Sequence, residues 1–121
     1  MSYDLRIGVK VEGADIIAVV EEPERDSPTY NLGKMFRACT GWDFKQGEWY
    51  KASEVLPKIE NGIRELSFNR KAYEQYNPPN GWGSISSARE DLESLRDCIY
   101  GIVAGDIGWQ AIPLEYLWVC W

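Results

Sequence analysis

The first part of the chain alternates between apolar and polar positions. The apolar positions are every second residue, at Leu5, Ile7, Val9 and Val11. A period of two is typical of a strand with one buried face. The turn-forming segment 12–15 follows, and the continuously apolar residues 16–20 predict a second, more deeply buried strand. Together they predict an N-terminal hairpin, followed by an exposed acidic connection over 21–26.

A first helix is predicted from a short apolar stripe. Ser27-Pro28-Thr29 is typical of a helix start, and Gly41 stands where a helix would end. The apolar residues between them fall three or four positions apart, at Leu32, Met35, Phe36 and Cys39. This spacing indicates one short, strongly amphipathic helix.

A second helix is predicted to begin with Ser53 as its N-cap and to stop at the Asn-Pro-Pro-Asn segment 77–80. Pro57 is expected within about the first turn, where a missing N–H costs little. Arg70 interrupts the apolar stripe, and it either pairs with a ligand or lies at the rim of the core. The stripe itself consists of Leu56, Ile59, Ile63, Leu66 and Tyr73.

A third helix is predicted from Ser87 and Glu90, which have the spacing of a capping box, to Gly101 and Gly105. Its buried side is formed by Leu92, Leu95, Ile99 and Ile102. Its exposed side is formed by Glu90, Asp91, Glu93, Arg96 and Asp97. Charges on the outer face of an amphipathic helix favour solubility more often than they bind a metal.

The last segment alternates again and predicts a strand over 116–121. The chain contains no repeat or linker, so residues 1–121 are expected to form a single α+β domain. The predicted architecture is a small antiparallel sheet, made of the N-terminal hairpin and the C-terminal strand, packed by about three helices. If the terminal strand lies at an edge of the sheet, it also offers a route to a homodimer by edge-to-edge pairing.

Composition and charge narrow the classes of function. Apolar residues make up 45% of the chain, as in a globular protein, and the net charge of −6 argues against non-specific binding to nucleic acid. The charge is uneven, because residues 34–71 contain eight basic and five acidic residues and the remainder therefore carries −9. No apolar segment is long enough to span a membrane and no signal peptide opens the chain, so the cytoplasm is the expected compartment.

The residue inventory points away from catalysis. The chain has no histidine, which excludes Ser–His and Cys–His nucleophilic sites. Its three cysteines, Cys39, Cys98 and Cys120, have no metal-like spacing and are expected to be small buried side chains in a reducing compartment. No phosphate-binding or calcium-binding loop is present. The sequence therefore predicts a binding protein without catalytic residues, metal or cofactor.

One candidate binding region is an aromatic segment after the first helix. If its aromatic side chains are exposed, they form a surface of the kind that dominates protein interfaces, with two basic residues able to pair with acidic groups. If they point inward, they cover the sheet. The sequence leaves both interpretations open. The residues concerned are Arg37, Trp42, Phe44, Lys45, Trp49 and Tyr50.

A second candidate is the start of the third helix. Glycines allow close approach of a ligand to the backbone, and a helix N-terminus offers N–H groups to an anion. Alternatively, the glycines turn the chain after Pro78-Pro79 and the tryptophan fills the core. The segment concerned is Asn80, Gly81, Trp82, Gly83 and Ser84.

Several strings in the chain resemble small accessory proteins encoded by phages and prophages. They are Thr29 to Arg37 (TYNLGKMFR), Thr40-Gly41-Trp42 and Asn80-Gly81-Trp82-Gly83. The resemblance implies a context of action against host defence, either as an inhibitor of CRISPR effectors or as a sponge for nucleotide immune signals. It implies no catalytic residues.

Three functions follow in order of expectation. The first is an anti-defence inhibitor that docks on a host protein, which suits an acidic protein with aromatic side chains at its surface. The second is a sponge for a cyclic or small nucleotide, which suits a glycine-rich helix start near basic residues. The third is a regulatory or structural accessory protein of a phage.

Overall fold

The chain forms an α+β fold in which helices pack against an antiparallel sheet. The computed structural model describes residues 2–10, 17–106 and 111–121. The strands are β1 (Arg6–Lys10), β2 (Ile17–Glu21), β3 (Trp49–Lys51) and β4 (Leu117–Cys120), and the helices are α1 (Gly33–Thr40), α2 (Ala52–Phe68) and α3 (Ile85–Ala104). Short 3-10 segments span Tyr30–Leu32, Arg70–Tyr76 and Leu114–Tyr116. Within these ranges, no helix is long and apolar enough to cross a membrane.

The sheet has the order β2-β1-β4-β3, and all its neighbouring strands are antiparallel. The predicted hairpin and the pairing of the C-terminal strand with an N-terminal one are confirmed, although the hairpin turn and Val11 lie outside the described residues. Among the described residues the expected three strands are corrected to four, because the end of the aromatic segment, Trp49 and Tyr50, forms β3 together with Lys51. With three residues, β3 is too short to show an alternating pattern.

β4 lies in the middle of the sheet rather than at its edge. One side of β4 pairs with β1 and the other with β3. The edge-to-edge pairing of this strand that was expected as a route to a homodimer is therefore not open to it. Trp118 of β4 lies between two lysines, with the Nζ atoms of Lys10 and Lys51 at 5.4 and 5.9 Å from the ring centroid. These cation–π contacts tie three strands together.

The core lies between the sheet and the helices, and α2 is at its centre. The predicted stripes of α2 and α3 are buried, from Leu56 to Leu66 and from Leu92 to Ile102. Gly62 of α2 lies where this helix contacts both α1 and α3. A Cβ atom at this position would be 2.6 Å from Thr40 Cγ2 and 2.9 Å from Leu92 Cδ1. The glycine therefore allows α2 to approach both neighbouring helices.

The starts of two helices differ from the sequence-based prediction. Lys51 occupies the N-cap position of α2 without a side-chain cap, and Ser53 is already helical. The reason is that β3 runs directly into α2, so strand pairing fixes the start of the helix. In α3 the capping box consists of Ser84 and Ser87 instead of Ser87 and Glu90. The helix begins one turn earlier because Ile85 extends its buried stripe.

Two other helix boundaries also shift. The first helix opens with the 3-10 turn Tyr30–Leu32, whose N-cap is Thr29, before α1 begins at Gly33. Gly41 ends α1 in the left-handed conformation, as predicted. The second helix ends at Phe68, so Tyr73 belongs to the following 3-10 segment and not to the stripe of α2.

Asp91 was predicted on the exposed face of α3, and this prediction is wrong. Only 4% of Asp91 is exposed, and its Oδ1 accepts a 2.7 Å hydrogen bond from Arg25 Nε. Arg25 comes from the acidic connection after β2, which therefore lies against α3, and it also pairs with Glu90 at 3.5 Å. Burial raises the pKa of Asp91, while the bond from Arg25 opposes this rise.

Replacing Arg25 with methionine should destabilise the protein more at pH 7 than at pH 4. Because folding raises the pKa of Asp91, protonation favours the folded state, and this contribution is lost as the pH rises through that pKa. Without Arg25 the pKa of Asp91 rises further, so more stability is lost as the pH increases to 7. We expect a cost of about 1–2 kcal/mol at pH 7, at the lower end for a charged hydrogen bond because 44% of the Arg25 side chain is exposed.

The measurement is urea unfolding of both proteins between pH 3.5 and pH 8. Arg96→Met is the control, since Arg96 pairs with the exposed Asp97 at 3.0 Å and its loss should cost below about 1 kcal/mol at every pH. An Arg25→Met cost that does not change with pH would show that Arg25 acts through packing and not through the Asp91 carboxylate.

Candidate functional site

The aromatic segment after α1 is divided between the core and the surface. Trp42 and Phe44 are only 1% and 2% exposed. Their ring centroids lie 4.2 Å apart, and Trp121 packs on Phe44 at the same distance. Phe44 adopts a left-handed conformation with φ of 49°, which turns its ring inward. These two candidate residues are therefore part of the core and offer no contact surface.

Hydrogen bonds among the polar residues of the same segment stabilise its conformation. Tyr50 Oη accepts a 3.0 Å hydrogen bond from the Lys45 amide and donates a 2.8 Å bond to Asp43 Oδ1. Burial raises the pKa of Tyr50 to about 12, and the bond to Asp43 adds to the rise. Tyr50 and Trp49 are half-buried, whereas the Lys45 side chain is exposed. Of the candidates between Trp42 and Tyr50, Lys45 is the one that is exposed.

The start of α3 is more open than the alternative interpretation assumed. Trp82 does not fill the core, because 69% of it is exposed. Gly81 and Gly83 have φ values of 74° and 115°, and a Cβ on Gly83 would lie 2.9 Å from Leu32. Ser84 Oγ accepts from the Ser87 amide, and Ser87 Oγ accepts from the Ser84 amide. The helix end is thus capped by its own hydroxyl groups.

Sequence reasoning missed an exposed ring that is even more accessible than that of Trp82. Phe68, the last residue of α2, is 88% exposed. Arg70 Nη2 donates a 3.1 Å hydrogen bond to Ser86 Oγ, which connects the segment after Phe68 to the helix start after Trp82. We call Phe68, Arg70, Lys71 and Trp82 the aromatic surface. The sequence signal was Phe68 itself, an apolar residue that does not fall on the stripe of α2.

A basic cleft lies between α1 and the 3-10 segment Arg70–Tyr76. Its volume is about 390 Å³. Of the predicted candidates it contains Arg37 alone, and the other lining residues were missed. The signal was available in Lys34 and Arg37, whose spacing of three places them on one face of α1. The cleft is lined by Tyr30, Asn31, Lys34, Arg37, Gln75, Tyr76, Asn77, Pro78 and Pro79.

A cleft of opposite charge lies between the end of β2 and α3. Its volume is about 360 Å³, and its charged lining residues are all acidic, Glu21, Glu22, Glu24 and Asp97. Cys98 also lines it, and burial raises the pKa of this thiol to about 12. The protein therefore carries separate acidic and basic surfaces, as the uneven charge along the chain predicted.

The surroundings of the cysteine thiols disfavour nucleophilic chemistry. The three cysteines are free, and burial raises the pKa of Cys39 to about 12 and that of Cys120 above its ordinary value. These thiols are protonated at neutral pH and are weak nucleophiles. Within the residues that the structure describes, no three His, Cys, Asp or Glu side chains are grouped as a metal site requires.

No protein-family model, no curated protein and no solved structure matches this chain. The surfaces described above are therefore the basis of the functional proposal.

Proposed function

We propose that the protein is a non-enzymatic binding protein that docks on another protein, in the manner of a phage-type anti-defence inhibitor. The observation that carries this proposal is the exposure of Phe68 and Trp82, at 88% and 69%. Each ring leaves a large apolar area in water. Such side chains favour association, because covering them with a partner removes that area from water.

The backbone that carries each of the two rings is ordered before a partner binds. Phe68 ends a helix of 17 residues, and the amide of Trp82 donates a 3.0 Å hydrogen bond to Asn80 Oδ1. The hydrogen bond between Arg70 and Ser86 connects the segment after Phe68 to the start of α3. Little backbone entropy is therefore lost when a partner binds, and this preorganisation raises affinity.

The flanking charges define the partner's chemistry. Arg70 and Lys71 line a groove of about 340 Å³ beside Phe68, together with Ser67 and Asn69. A matching surface carries an apolar pocket for the rings and acidic groups at its rim. The net charge of −6 in addition favours approach to a partner of positive net charge. Defence proteins that bind nucleic acid are such partners.

Expression of the protein should protect a targeted plasmid from a host interference system. The experiment transforms strains that each carry one CRISPR system and measures the recovery of a plasmid with a matching target. We expect recovery to rise at least tenfold with the wild-type protein in at least one strain. The double substitution Phe68→Ser with Trp82→Ser should abolish the rise, because interface aromatics of this kind contribute about 2 kcal/mol or more each.

Tyr116→Ser is the matched control, since Tyr116 is also an exposed ring but lies outside the aromatic surface. It should protect the plasmid as well as the wild type does. Equal amounts of folded protein are checked by circular dichroism of the purified variants. No protection in any strain would overturn the anti-defence function. Protection that survives loss of both rings would overturn the aromatic surface as the contact.

A further inference from the structure

The basic cleft between α1 and the 3-10 segment Arg70–Tyr76 has the properties of a ligand site. Its volume of about 390 Å³ falls in the range of small-molecule sites in proteins. One wall belongs to α1 and the turn before it, where Leu32 and Met35 are buried, and the other packs on the core through the half-buried Tyr73 and Tyr76. Both walls of the cleft are therefore in contact with the core.

The cleft attracts anions despite the acidic net charge of the protein. Lys34 and Arg37 line it, and no carboxylate does. Within the described parts of the chain, neither side chain forms an ion pair. Both cations are thus available to a ligand, and an Arg and a Lys one turn apart suit the oxygens of one phosphate group.

Gly33 determines where the Arg37 guanidinium lies. A Cβ at position 33 would be 3.3 and 3.4 Å from the two terminal nitrogens of Arg37, and 2.5 Å from Tyr3 Oη. The guanidinium therefore folds back over Gly33, towards the N-terminal end of α1 where Tyr30 stands. The missing side chain leaves space for this arrangement.

The remaining wall residues suit a planar, hydrogen-bonding group. Tyr30 and Tyr76 are half-buried, and Tyr30 is fixed by an edge-on contact with Tyr3 at 4.6 Å and by a hydrogen bond from Gln46. Aromatic rings stack on bases of any sequence. The side-chain amides of Asn31, Gln75 and Asn77 can both donate and accept, as base edges require. A simple inorganic anion can accept hydrogen bonds from these amides, but it has no ring to stack on the tyrosines.

We infer that this cleft binds a mononucleotide, with the phosphate at Lys34 and Arg37 and the base against the tyrosines. The site differs from the helix start at Ser84, where the cap already uses the hydroxyl groups. It also shares no residue with the aromatic surface. The inference of a nucleotide site therefore does not depend on the docking function.

Calorimetric titration with four probes tests the inference: a purine nucleoside monophosphate, a pyrimidine nucleoside monophosphate, the unphosphorylated purine nucleoside and inorganic phosphate. We expect at least one monophosphate to bind at least tenfold more tightly than the nucleoside or inorganic phosphate. Equal affinity for phosphate and the monophosphates would overturn the role of the tyrosines. Binding of no monophosphate would overturn the inference.

Variants then locate the binding. Lys34→Glu and Arg37→Glu should each weaken monophosphate binding at least tenfold, whereas Lys58→Glu, an exposed lysine of α2 outside the cleft, should change it less than twofold. Unchanged thermal midpoints exclude unfolding as the cause. Tyr76→Ala should weaken the monophosphate and leave the weak phosphate signal unchanged. Equal losses in all three charge variants would mean non-specific attraction and would overturn the site.

The two proposals fail in distinguishable ways. Phe68→Ser with Trp82→Ser should leave monophosphate binding intact, and Lys34→Glu should leave plasmid protection intact. Chromatography of the nucleotide after incubation adds a test of the non-enzymatic function. Recovery of unchanged nucleotide is expected, and conversion to a product would overturn that part of the proposed function while supporting the site.

Discussion

Replacing Trp42 with alanine is expected to lower the free energy of unfolding by about 4 kcal/mol, the cost of removing a large side chain from a packed core. Trp42 is 1% exposed, and its ring lies against Phe44 at 4.2 Å, Tyr50 at 5.2 Å and Trp121 at 5.4 Å. The loss of Trp42 leaves a cavity that these large, fixed rings cannot close. Since domains of this size are stable by about 5–15 kcal/mol, a substantial fraction of the variant is expected to unfold under mild conditions.

The measurement is urea unfolding followed by far-ultraviolet circular dichroism, which does not depend on tryptophan emission. Trp82→Ala is the matched control, because it removes the same side chain from the surface and should change stability by less than about 0.5 kcal/mol. If the two variants lose similar stability, Trp42 is not a core residue and the inward fold of the aromatic segment is wrong.

Replacing Gly62 with valine should cost about 3 kcal/mol, at the upper end for overpacking of a core. The first added carbon would already lie 2.6 Å from Thr40 Cγ2 and 3.2 Å from Cys39 Sγ, and the valine methyl groups would extend further. Since glycine is a poor helix former, helix propensity alone predicts stabilisation on substitution. We nevertheless expect destabilisation, because the overpacked contact between helices outweighs the gain in helix propensity. Thermal and urea unfolding of the variant measure it.

Two controls distinguish the effect of the contact between helices from the effect of helix propensity. Arg64→Val places the same side chain at an exposed position of α2 and should cost about 0.5 kcal/mol. Thr40→Ser removes the Cγ2 methyl but keeps the hydroxyl that bonds to Phe36 O and to the Trp42 amide. Combined with Gly62→Val, it should recover part of the stability that the valine variant loses. Additive losses would show that Thr40 does not limit the approach.

The sequence predicted those parts of the fold that depend on periodic burial. The stripes of α2 and α3 and the strands β1 and β4 follow from local spacing, and each is present. β2 is also present, but the deeper burial predicted from its apolar run is wrong, since Val19 is 49% exposed. What was missed depends on contacts between distant residues. Lys51 begins α2 because β3 pairs with β4, and Asp91 is buried because Arg25 reaches it from the segment after β2. The local pattern of apolar and polar residues predicts neither the strand pairing nor the contact between Arg25 and Asp91.

The candidate sites were harder to predict for the same reason. An aromatic residue in a loop can face either side, and Trp42 and Trp82, both next to glycines, face opposite ways. The cleft brings Lys34 together with Tyr76, which are far apart in the chain. Their proximity depends on how the 3-10 segment turns back after α2. No spacing within either segment predicts it.

The central position of β4 has a consequence for synthesis of the chain. β1 and β3 are joined to each other in the sheet only through β4, which comes last among the strands and helices of the described residues. While the chain emerges from the ribosome, the hairpin and helices are complete before the sheet can close. The open edges of β1 and β3 are then available for wrong pairing until β4 inserts between them. A delay before β4 inserts therefore prolongs the exposure of these edges, and a chaperone that covers them should raise the yield of folded protein.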